Sequence, residues 1–250
     1  MGKYQRNGLQ ISLAVIMSLS LTWVILLQSL TYCCFNRQFY QDNFRKLQTS
    51  TKVDIDAADL NKSVDCLFDY LLQRHDDLNL QVRLLSSGQK TEMFNRREKD
   101  HMVDVKSLLQ RVMFSQKAAL TVFVLLFLLL PLLYRRAAAT SWTDYLLSYR
   151  AGFIGGIVTA LLFIAIIAVF AACDFSTFWW KFHELLFTND LWQLDPAESR
   201  LINLVEGEFF SNLVQYIISV TVTALVVAYA LILLVLRILL KLSRKLRTLG

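Results

Sequence analysis

Four long stretches of the chain contain no Asp, Glu, Lys or Arg, and they cover residues 9–32, 118–134, 152–173 and 213–236. An α-helix needs about 20 residues to cross a hydrocarbon core about 30 Å thick, because each residue adds about 1.5 Å. Three stretches reach that length, and a helix over the shorter 118–134 would stand nearly upright. The pattern predicts an α-helical integral membrane protein with four transmembrane helices in a single membrane domain, 1–250.

The basic residues between these stretches predict the orientation of the chain. If both termini are cytoplasmic, the cytoplasmic face carries ten Lys and Arg residues and a single acid, Asp144. The ten are Lys3, Arg6, Arg135, Arg136, Arg150, Arg237, Lys241, Arg244, Lys245 and Arg247. Lys and Arg resist translocation, so short basic segments mark the cytoplasmic side. We therefore expect segments 33–117 and 174–210 to lie outside the cytoplasm.

The first apolar stretch could instead be a cleaved signal peptide, but it is longer than the usual apolar core of about 7–15 residues. Bulky Tyr32 also occupies a position where cleavage requires a small residue, so we expect an uncleaved helix. The four cysteines do not form a disulfide framework. A bond from Cys66 to Cys33 or Cys34 stays open, although free thiols are the simpler interpretation.

Segment 33–117 predicts a small extracytoplasmic cap. Three acids that favour a helix start, Asp54, Asp56 and Asp59, precede apolar residues at helical spacing. We therefore expect an amphipathic helix over about 57–74.

The pattern then changes to a hairpin. Residues 78–84 alternate between apolar and polar, 86–89 favour a turn, and 90–95 can return as a second strand. A lone hairpin is marginally stable in water, so it must pack against the cap helix or the membrane surface. Residues 98–114 next predict a helix that leads into the second span, which makes the cap α+β.

Segment 174–210 is rich in aromatic residues, namely Phe175, Phe178, Trp179, Trp180, Phe182, Phe187, Trp192, Phe209 and Phe210. Aromatic residues at this density beside a span are typical of a segment that lies in the membrane interface. We expect most of them to be anchors and a minority to line a substrate groove. The Asp-Pro pair at 195–196 predicts a turn and the start of another helix.

Two histidines in the outer segments, His101 and His183, are the candidate catalytic groups. Imidazole exchanges a proton near neutral pH and can act as a general acid or base. Glu98 and Asp104 lie three positions on either side of His101, close to the same helix face. A carboxylate there could orient one ring nitrogen and leave the other as a base.

For His183 the candidate carboxylates are Asp190 and Asp195, which folding rather than sequence proximity would bring near. The alternative is that a histidine near a membrane surface is simply solvated or interfacial. His75, in a charged stretch at the end of the cap helix, fits that interpretation.

Other chemistries lack their motifs. Residues 183–187, HELLF, begin like a zinc-protease helix, but Phe187 replaces the second histidine, so we expect no metal ion. The chain has no Gly-x-Ser-x-Gly elbow or Gly-rich phosphate loop, and no charge interrupts a span as in many transporters and channels. No basic patch interleaved with stacking aromatics predicts a nucleic-acid partner, and the net charge of +6 reflects membrane topology. Gly152, Gly155 and Gly156 predict a close helix contact.

Two long strings around the histidines resemble the bacterial lipoprotein intramolecular transacylase family of Gram-positive bacteria. They are FNRREKDHMVDVK at 94–106 and FHELLFTNDLWQLDP at 182–196, and DDLNLQV at 76–82 and EGEFF at 206–210 fit the same pattern. The resemblance covers nearly the whole chain. It implies an enzyme that moves the sn-2 acyl chain of a diacylglyceryl-cysteine lipoprotein onto that cysteine's own α-amine, which gives the lyso-form lipoprotein.

The resemblance also implies the site. His101 and His183 would be the essential pair; we assign His101 as the base and His183 as the proton donor, with the opposite order left open. Supporting roles fall to Glu98, Asp104, Asn189 and Asp190, and groove positions to Tyr40, Arg97 and Trp192. The expected partners are diacylglyceryl-modified lipoproteins and membrane lipids, without a cofactor.

Two other functions remain open. A non-enzymatic scaffold or sensor could use the aromatic segment to dock another helix, and a lipid ester hydrolase could release a fatty acid. Loss of product after replacement of either histidine would exclude the scaffold. The mass of a lipoprotein's N-terminal peptide distinguishes transfer of the chain from its loss.

Overall fold

The computed structural model describes the backbone of residues 3–136 and 142–247 and the side chains of residues 8–132, 142–243 and 245. Several basic residues that predict the orientation lie outside the described side chains, namely Lys3, Arg6, Arg135, Arg136, Arg244 and Arg247. The elements of the described chain are α1 Lys3–Cys34, α2 Arg37–Lys46, α3 Thr49–Val53, α4 Ala57–Leu71, β1 Gln81–Arg83, β2 Lys90–Glu92, α5 Arg96–Arg136, α6 Trp142–Cys173, α7 Phe175–Leu186, α8 Arg200–Leu204 and α9 Gly207–Arg247.

Four helices of the described chain, α1, α5, α6 and α9, are long and apolar enough to cross a membrane. They contain the four predicted apolar stretches, so the prediction of a four-span helical protein is confirmed. Helix α5 has 41 residues, which is longer than a span requires. Its charged residues lie before position 118 and after position 134, so its membrane-spanning part remains predicted at 118–134.

Contacts divide the chain into two compact units, each of which is described separately. The first comprises Met1–Leu30, Met113–Ala168 and Ile217–Gly250, and the second comprises Thr31–Val112 and Val169–Tyr216. The first unit therefore holds most of the apolar stretches, and the second holds both candidate histidines.

In the first unit, helices α1 and α6 approach each other at two glycines. A Cβ atom placed on Gly152 would lie 2.5 Å from Ala14 Cβ, and one on Gly156 would lie 1.9 Å from Ser18 Oγ. Such distances are too short for any side chain, so both positions require glycine. The predicted helix contact is confirmed at these two positions, whereas Gly155 faces more open space.

The same unit contains a buried polar contact between α1 and α9. The Tyr229 hydroxyl donates to the Ser18 main-chain oxygen at 2.8 Å and lies 2.7 Å from the hydroxyls of Ser18 and Thr22. Hydroxyl pairs of this kind hold apolar helices together, because lipid offers no alternative partner. The contact fixes the rotation of α1 relative to α9.

The second unit contains the predicted cap helix and hairpin. Helix α4 begins where expected, because the Asp56 side chain accepts a hydrogen bond from Asp59 N at 2.7 Å. It ends at Leu71, earlier than predicted, and Gln73 follows it with a φ of 61°. The strands are also shorter than predicted, with Val82 paired to Thr91.

The hairpin packs on α4 within the second unit. Val82 is buried between two exposed neighbours, and Arg83 N donates to Asp59 Oδ2 on α4 at 2.8 Å. The Asp59 carboxylate thus links the cap helix to the strand. This contact supplies the support that a two-stranded hairpin cannot provide for itself.

Helices α7 and α8 complete the second unit. Asp174 caps α7 by accepting from Thr177 N at 3.0 Å. The predicted turn at Pro196 is present, but the prediction that a helix starts there is wrong, because α8 begins at Arg200 with Ser199 as its cap. Asp195 instead accepts from Ala197 N and stabilises the turn.

Candidate active site

Glu98 is a buried carboxylate at the start of α5 that binds three donors. Its Oε2 accepts from Asn95 N while Asn95 Oδ1 accepts from Glu98 N at 2.9 Å, which forms a reciprocal helix cap. Its Oε1 accepts from Ser199 Oγ at 2.6 Å and from Leu201 N at 2.7 Å. The prediction that Glu98 orients the imidazole of His101 is therefore wrong, because its oxygens bind these other groups.

His101 lies one turn after Glu98 and is 8% exposed. Within the described chain, its Nδ1 atom is buried and has no hydrogen-bond partner. The ring can therefore meet a substrate only through Nε2. Asp104 does not bond to the Nδ1 atom of this ring, and its described side chain bonds to Asn189.

His183 lies on α7, is 6% exposed, and has its Nδ1 atom 2.8 Å from the main-chain oxygen of Trp179. A carbonyl oxygen can only accept, so Nδ1 carries the hydrogen and donates. The neutral ring then has its lone pair on Nε2. The prediction that Asp190 or Asp195 orients this ring is wrong, because a main-chain carbonyl one helical turn earlier occupies that role.

The structure brings the two imidazoles together within the second unit. Their ring centroids are 6.4 Å apart, and the planes are inclined by 38°. Phe187 contacts both, with its ring centroid 5.3 Å from that of His101 and 5.7 Å from that of His183. The two imidazoles and Phe187 form one cluster. The two histidines that the sequence predicts as a pair therefore lie together in the structure.

Trp179 and Trp192 enclose His183 further. Trp192 stacks on its ring at 4.8 Å and 25°, and Trp179 meets it edge to face at 4.4 Å. Phe210 in turn lies 4.0 Å from Trp179. Aromatic rings on several sides remove the imidazole from water.

Helix α5 holds the loop that carries Trp192. Asn189 Nδ2 donates to Asp104 Oδ2 at 2.8 Å, and Arg97 Nη2 donates to the main-chain oxygen of Asp190 at 2.6 Å. The Arg97 and Asp190 side chains also form a longer ion pair of 3.6 Å. Of the predicted supporting and groove residues, Trp192 contacts His183, and Arg97, Asp104, Asn189 and Asp190 join α5 to the loop that carries it.

Tyr40 belongs to a different part of the second unit. Its ring contacts Phe44, Phe68 and Phe209 at centroid distances between 4.9 and 6.0 Å. These contacts place it in the aromatic packing between α2, α4 and the start of α9. It has no ring contact with either imidazole in the described chain, so its groove role has less support than that of Trp192.

Burial shifts both histidines toward the neutral form. The pKa of His101 falls from 6.5 to about 4, because of burial first and the neighbouring His183 second, while Asp104 acts in the opposite direction. The pKa of His183 is also lowered by burial, against the hydrogen bond to Trp179. His101 lies in the charged part of α5, before the predicted span. At neutral pH both rings are therefore uncharged.

Sequence reasoning missed three contributors to this site: Trp179, Phe187 and Ser199. The spacing carried a usable signal for two of them, since Trp179 lies four positions before His183 on α7, and Phe187, the residue that follows the helix, lies four positions after it. Nothing in the pattern indicated that Ser199 bonds to Glu98. His75 is exposed, as expected, and all four cysteines are free thiols.

A family model for the lipoprotein intramolecular transacylase Lit matches residues 15–210, which include both histidines and all the residues around them. The chain belongs to the Lit family. As a Lit protein, it is a membrane-integral transacylase, and the predicted resemblance is confirmed.

Solved structures of Lit from Bacillus cereus have the same fold. One is 21% identical with a TM-score of 0.67, and the match covers 95% of this chain and 99% of that one. A variant of the same protein with a histidine replaced by alanine is also 21% identical, with a TM-score of 0.70 and coverage of 97% and 98%. No curated protein matches the chain significantly. At this identity the structural likeness shows the fold alone.

Proposed function

We propose that this Lit protein moves the sn-2 acyl chain of a diacylglyceryl-cysteine lipoprotein onto the α-amine of the same cysteine, with His101 and His183 as its catalytic residues. The observation that carries this proposal is the pair of buried, neutral imidazoles 6.4 Å apart in a member of the Lit family. The product is a lyso-form lipoprotein with one acyl chain on nitrogen and one on glycerol.

The reaction needs one proton to move from nitrogen to oxygen. The free amine attacks the ester carbonyl, the new C–N bond forms, and the C–O bond to glycerol breaks. The amine loses a proton and the glycerol oxygen gains one, so amine plus ester gives amide plus alcohol. The reference pKa of an α-amine is about 7.7–8.0, so the protonated fraction must first release a proton to water.

The hydrogen bonds favour His183 as the group that carries this proton. Its Nδ1–H is held by the Trp179 carbonyl, so Nε2 has a free lone pair that can accept a proton from the attacking amine. The same Nε2–H can then protonate the leaving glycerol oxygen. This arrangement reverses our assignment of His101 as the base and keeps His183 as the proton donor.

His101 suits a different role, donation of a hydrogen bond to the carbonyl oxygen. Buried N–H groups without an acceptor are rarer than acceptors without a donor, so its enclosed Nδ1 favours the tautomer with hydrogen on Nε2. A neutral imidazole with a lowered pKa can stabilise the negative charge that develops on a carbonyl oxygen. Donors of this kind contribute about 10²–10³ in rate.

The amine and the ester belong to one molecule, which reduces what the protein must supply. Holding them in a reactive geometry can contribute up to about 7–11 kcal/mol in the best cases. The loop 189–192 and Phe187 fit the role of a wall against which the substrate is held. Glu98 fits a supporting role, since it fixes the start of the helix that carries His101.

We also propose that both termini are cytoplasmic and that the reaction occurs at the extracytoplasmic face. The support is the basic excess in the three short segments that this orientation places inside. Diacylglyceryl-modified lipoproteins and membrane lipids are then the partners that the site can reach. Labelling of single cysteines placed in each loop by a membrane-impermeant reagent tests this orientation.

The test of function uses the purified protein in liposomes with a diacylglyceryl lipoprotein, followed by mass spectrometry of the N-terminal peptide. Transfer leaves the acyl count unchanged and moves one chain to nitrogen. His101→Ala and His183→Ala should each lose product by about 10²–10⁴. His75→Ala is the matched control, because this histidine is exposed, and it should retain activity.

The two roles can be separated by glutamine, whose amide can donate a hydrogen bond but cannot accept a proton as a base. His101→Gln should therefore retain more activity than His183→Gln. The opposite ranking would support His101 as the base. A peptide that loses one chain and keeps a free amine would instead identify a hydrolase.

A further inference from the structure

Asp104 is a half-buried carboxylate one helical turn after His101. Its Oδ2 accepts from Asn189 Nδ2 at 2.8 Å. The carboxylate also lies close enough to the imidazole to favour its protonated form. It raises the pKa of His101, whereas burial and His183 lower it. Asp104 therefore lies beside the ring that we place at the reacting carbonyl.

In the described chain Asp104 has no cation as a partner, whereas Asp100 and Asp190 each have one. Asp190 pairs with Arg97 at 3.6 Å, and Asp100 pairs with Arg96 at 3.1 Å. Within the part of the chain that the structure describes, no Lys or Arg lies within 4.0 Å of the Asp104 carboxylate.

The basic residue two positions later does not neutralise Asp104 either. The ammonium of Lys106 lies 4.1 Å from the ring centroid of Tyr70. In the described chain Asp104 thus has a neutral hydrogen-bond donor and no cation, which leaves its charge available to a positive group of a ligand.

The second observation is the state of His101 itself. This ring is more than nine-tenths buried, and in the described chain its Nδ1 atom has no hydrogen-bond partner. Two polar groups within one turn of α5 thus have unmet interactions. Because Nδ1 is enclosed, a ligand would meet this ring through Nε2, one helical turn from Asp104 on the same helix.

We propose that Asp104 binds the α-ammonium group of the lipoprotein's N-terminal cysteine and so selects substrates with a free amine. This inference rests on the proposed function, because that function supplies the amine. It assigns to Asp104 a role distinct from orienting His101, which the hydrogen bonds do not support.

The role predicts a particular kinetic effect. Asp104 attracts the substrate while the amine is still protonated, and this attraction ends once the proton leaves. Loss of the carboxylate should therefore raise KM below about pH 8, where an α-amine is protonated, and raise kcat by a similar factor, because the bound amine then loses its proton more easily. The ratio kcat/KM should change little, whereas a merely structural role would lower it at every pH.

Binding measurements test the proposal without turnover. The His183→Ala protein in lipid nanodiscs is titrated with two synthetic peptides, one carrying S-diacylglyceryl-cysteine and the other the same residue without its amine. At pH 6.5 we expect the peptide with the amine to bind about tenfold more tightly, which corresponds to about 1.4 kcal/mol. At pH 9.5 this preference should disappear.

Added substitutions locate the preference. Asp104→Asn, which preserves the shape of the side chain, should reduce it to less than twofold. Asp100→Asn is the matched control on the same helix and should retain it.

The outcomes are distinct. A preference that survives in Asp104→Asn would overturn the proposal, and so would a parent protein that binds both peptides equally at pH 6.5. The second result needs no Asp104 variant, so it decides the matter even if that variant does not fold. Absence of acyl transfer together with an intact amine preference would refute the proposed function and leave the amine site standing.

Discussion

Replacement of Glu98 tests whether one buried carboxylate holds the start of α5 and the segment before α8 together. The residue is 1% exposed, and its two oxygens accept from Asn95 N, Ser199 Oγ and Leu201 N. Glu98→Gln keeps the volume but exchanges one oxygen for a donor. The single amide oxygen can accept either from Asn95 N or from Ser199 Oγ and Leu201 N, and the orientation that keeps two hydrogen bonds is favoured.

The magnitude follows from this asymmetry. In Glu98→Gln the amide NH₂ faces Asn95 N, so one charge-assisted hydrogen bond worth about 1.5–3 kcal/mol is lost. In Glu98→Ala all three donors lose their acceptor and a cavity remains, so we expect a loss of about 3–5 kcal/mol. Glu208→Gln is the control, because Glu208 lies exposed in the first turn of α9.

Hydrogen–deuterium exchange in nanodiscs measures the effect locally. In Glu98→Gln, peptides covering 94–99 should exchange about tenfold faster or more, while those covering 199–205 change little, since 1.4 kcal/mol corresponds to a factor of ten. In Glu98→Ala both regions should exchange faster. Equal protection in the wild type and in both variants would refute the reasoning.

Three further predictions concern pH, helix contact and aromatic stacking. The pKa of His101 is about 4 in the folded protein and 6.5 in the unfolded chain, so protons bind the unfolded chain more tightly. The folded protein should therefore lose up to about 3 kcal/mol of stability as the pH falls from 6.5 to 4. Thermal unfolding across this range should show the loss, and His101→Gln should flatten it. Gly152→Ala should destabilise the protein by about 1–3 kcal/mol. Gly155→Ala should not, because a Cβ atom there would lie 4.0 Å from its nearest neighbour, Val15 Cγ2. Equal unfolding temperatures for the two variants would contradict the predicted contact. Trp192→Leu should reduce acyl transfer more than Trp192→Phe, because phenylalanine can still stack on His183; equal rates for both would exclude stacking as the reason.

The fold followed from the sequence where one physical effect dominates. Apolar stretches without charge predict spans, because a charged side chain in lipid is costly. The helix start at Asp56 and the position of the hairpin were also predictable from local capping and alternation. Their lengths were not, since α4 ends at Leu71, just before the positive φ of Gln73, and β1 ends at Arg83, whose N–H bonds to Asp59 on α4.

The candidate site was predictable in its two histidines and in Trp192, but not in how its carboxylates pair. The motif strings identified His101 and His183, but each expected carboxylate partner has a different partner in the structure. Glu98 bonds with Ser199 a hundred residues away, and Asp104 bonds with Asn189. Such pairings depend on tertiary folding, and helical spacing alone does not encode them.

The hydrogen bond from His183 to the Trp179 carbonyl has a consequence for genetics. When a carboxylate orients a catalytic imidazole, activity depends on that acidic side chain as well, and a mutational screen detects its loss. Here the acceptor belongs to the peptide backbone, which every amino acid at position 179 provides. A saturation screen should therefore reveal two indispensable imidazoles without an indispensable acid paired to His183.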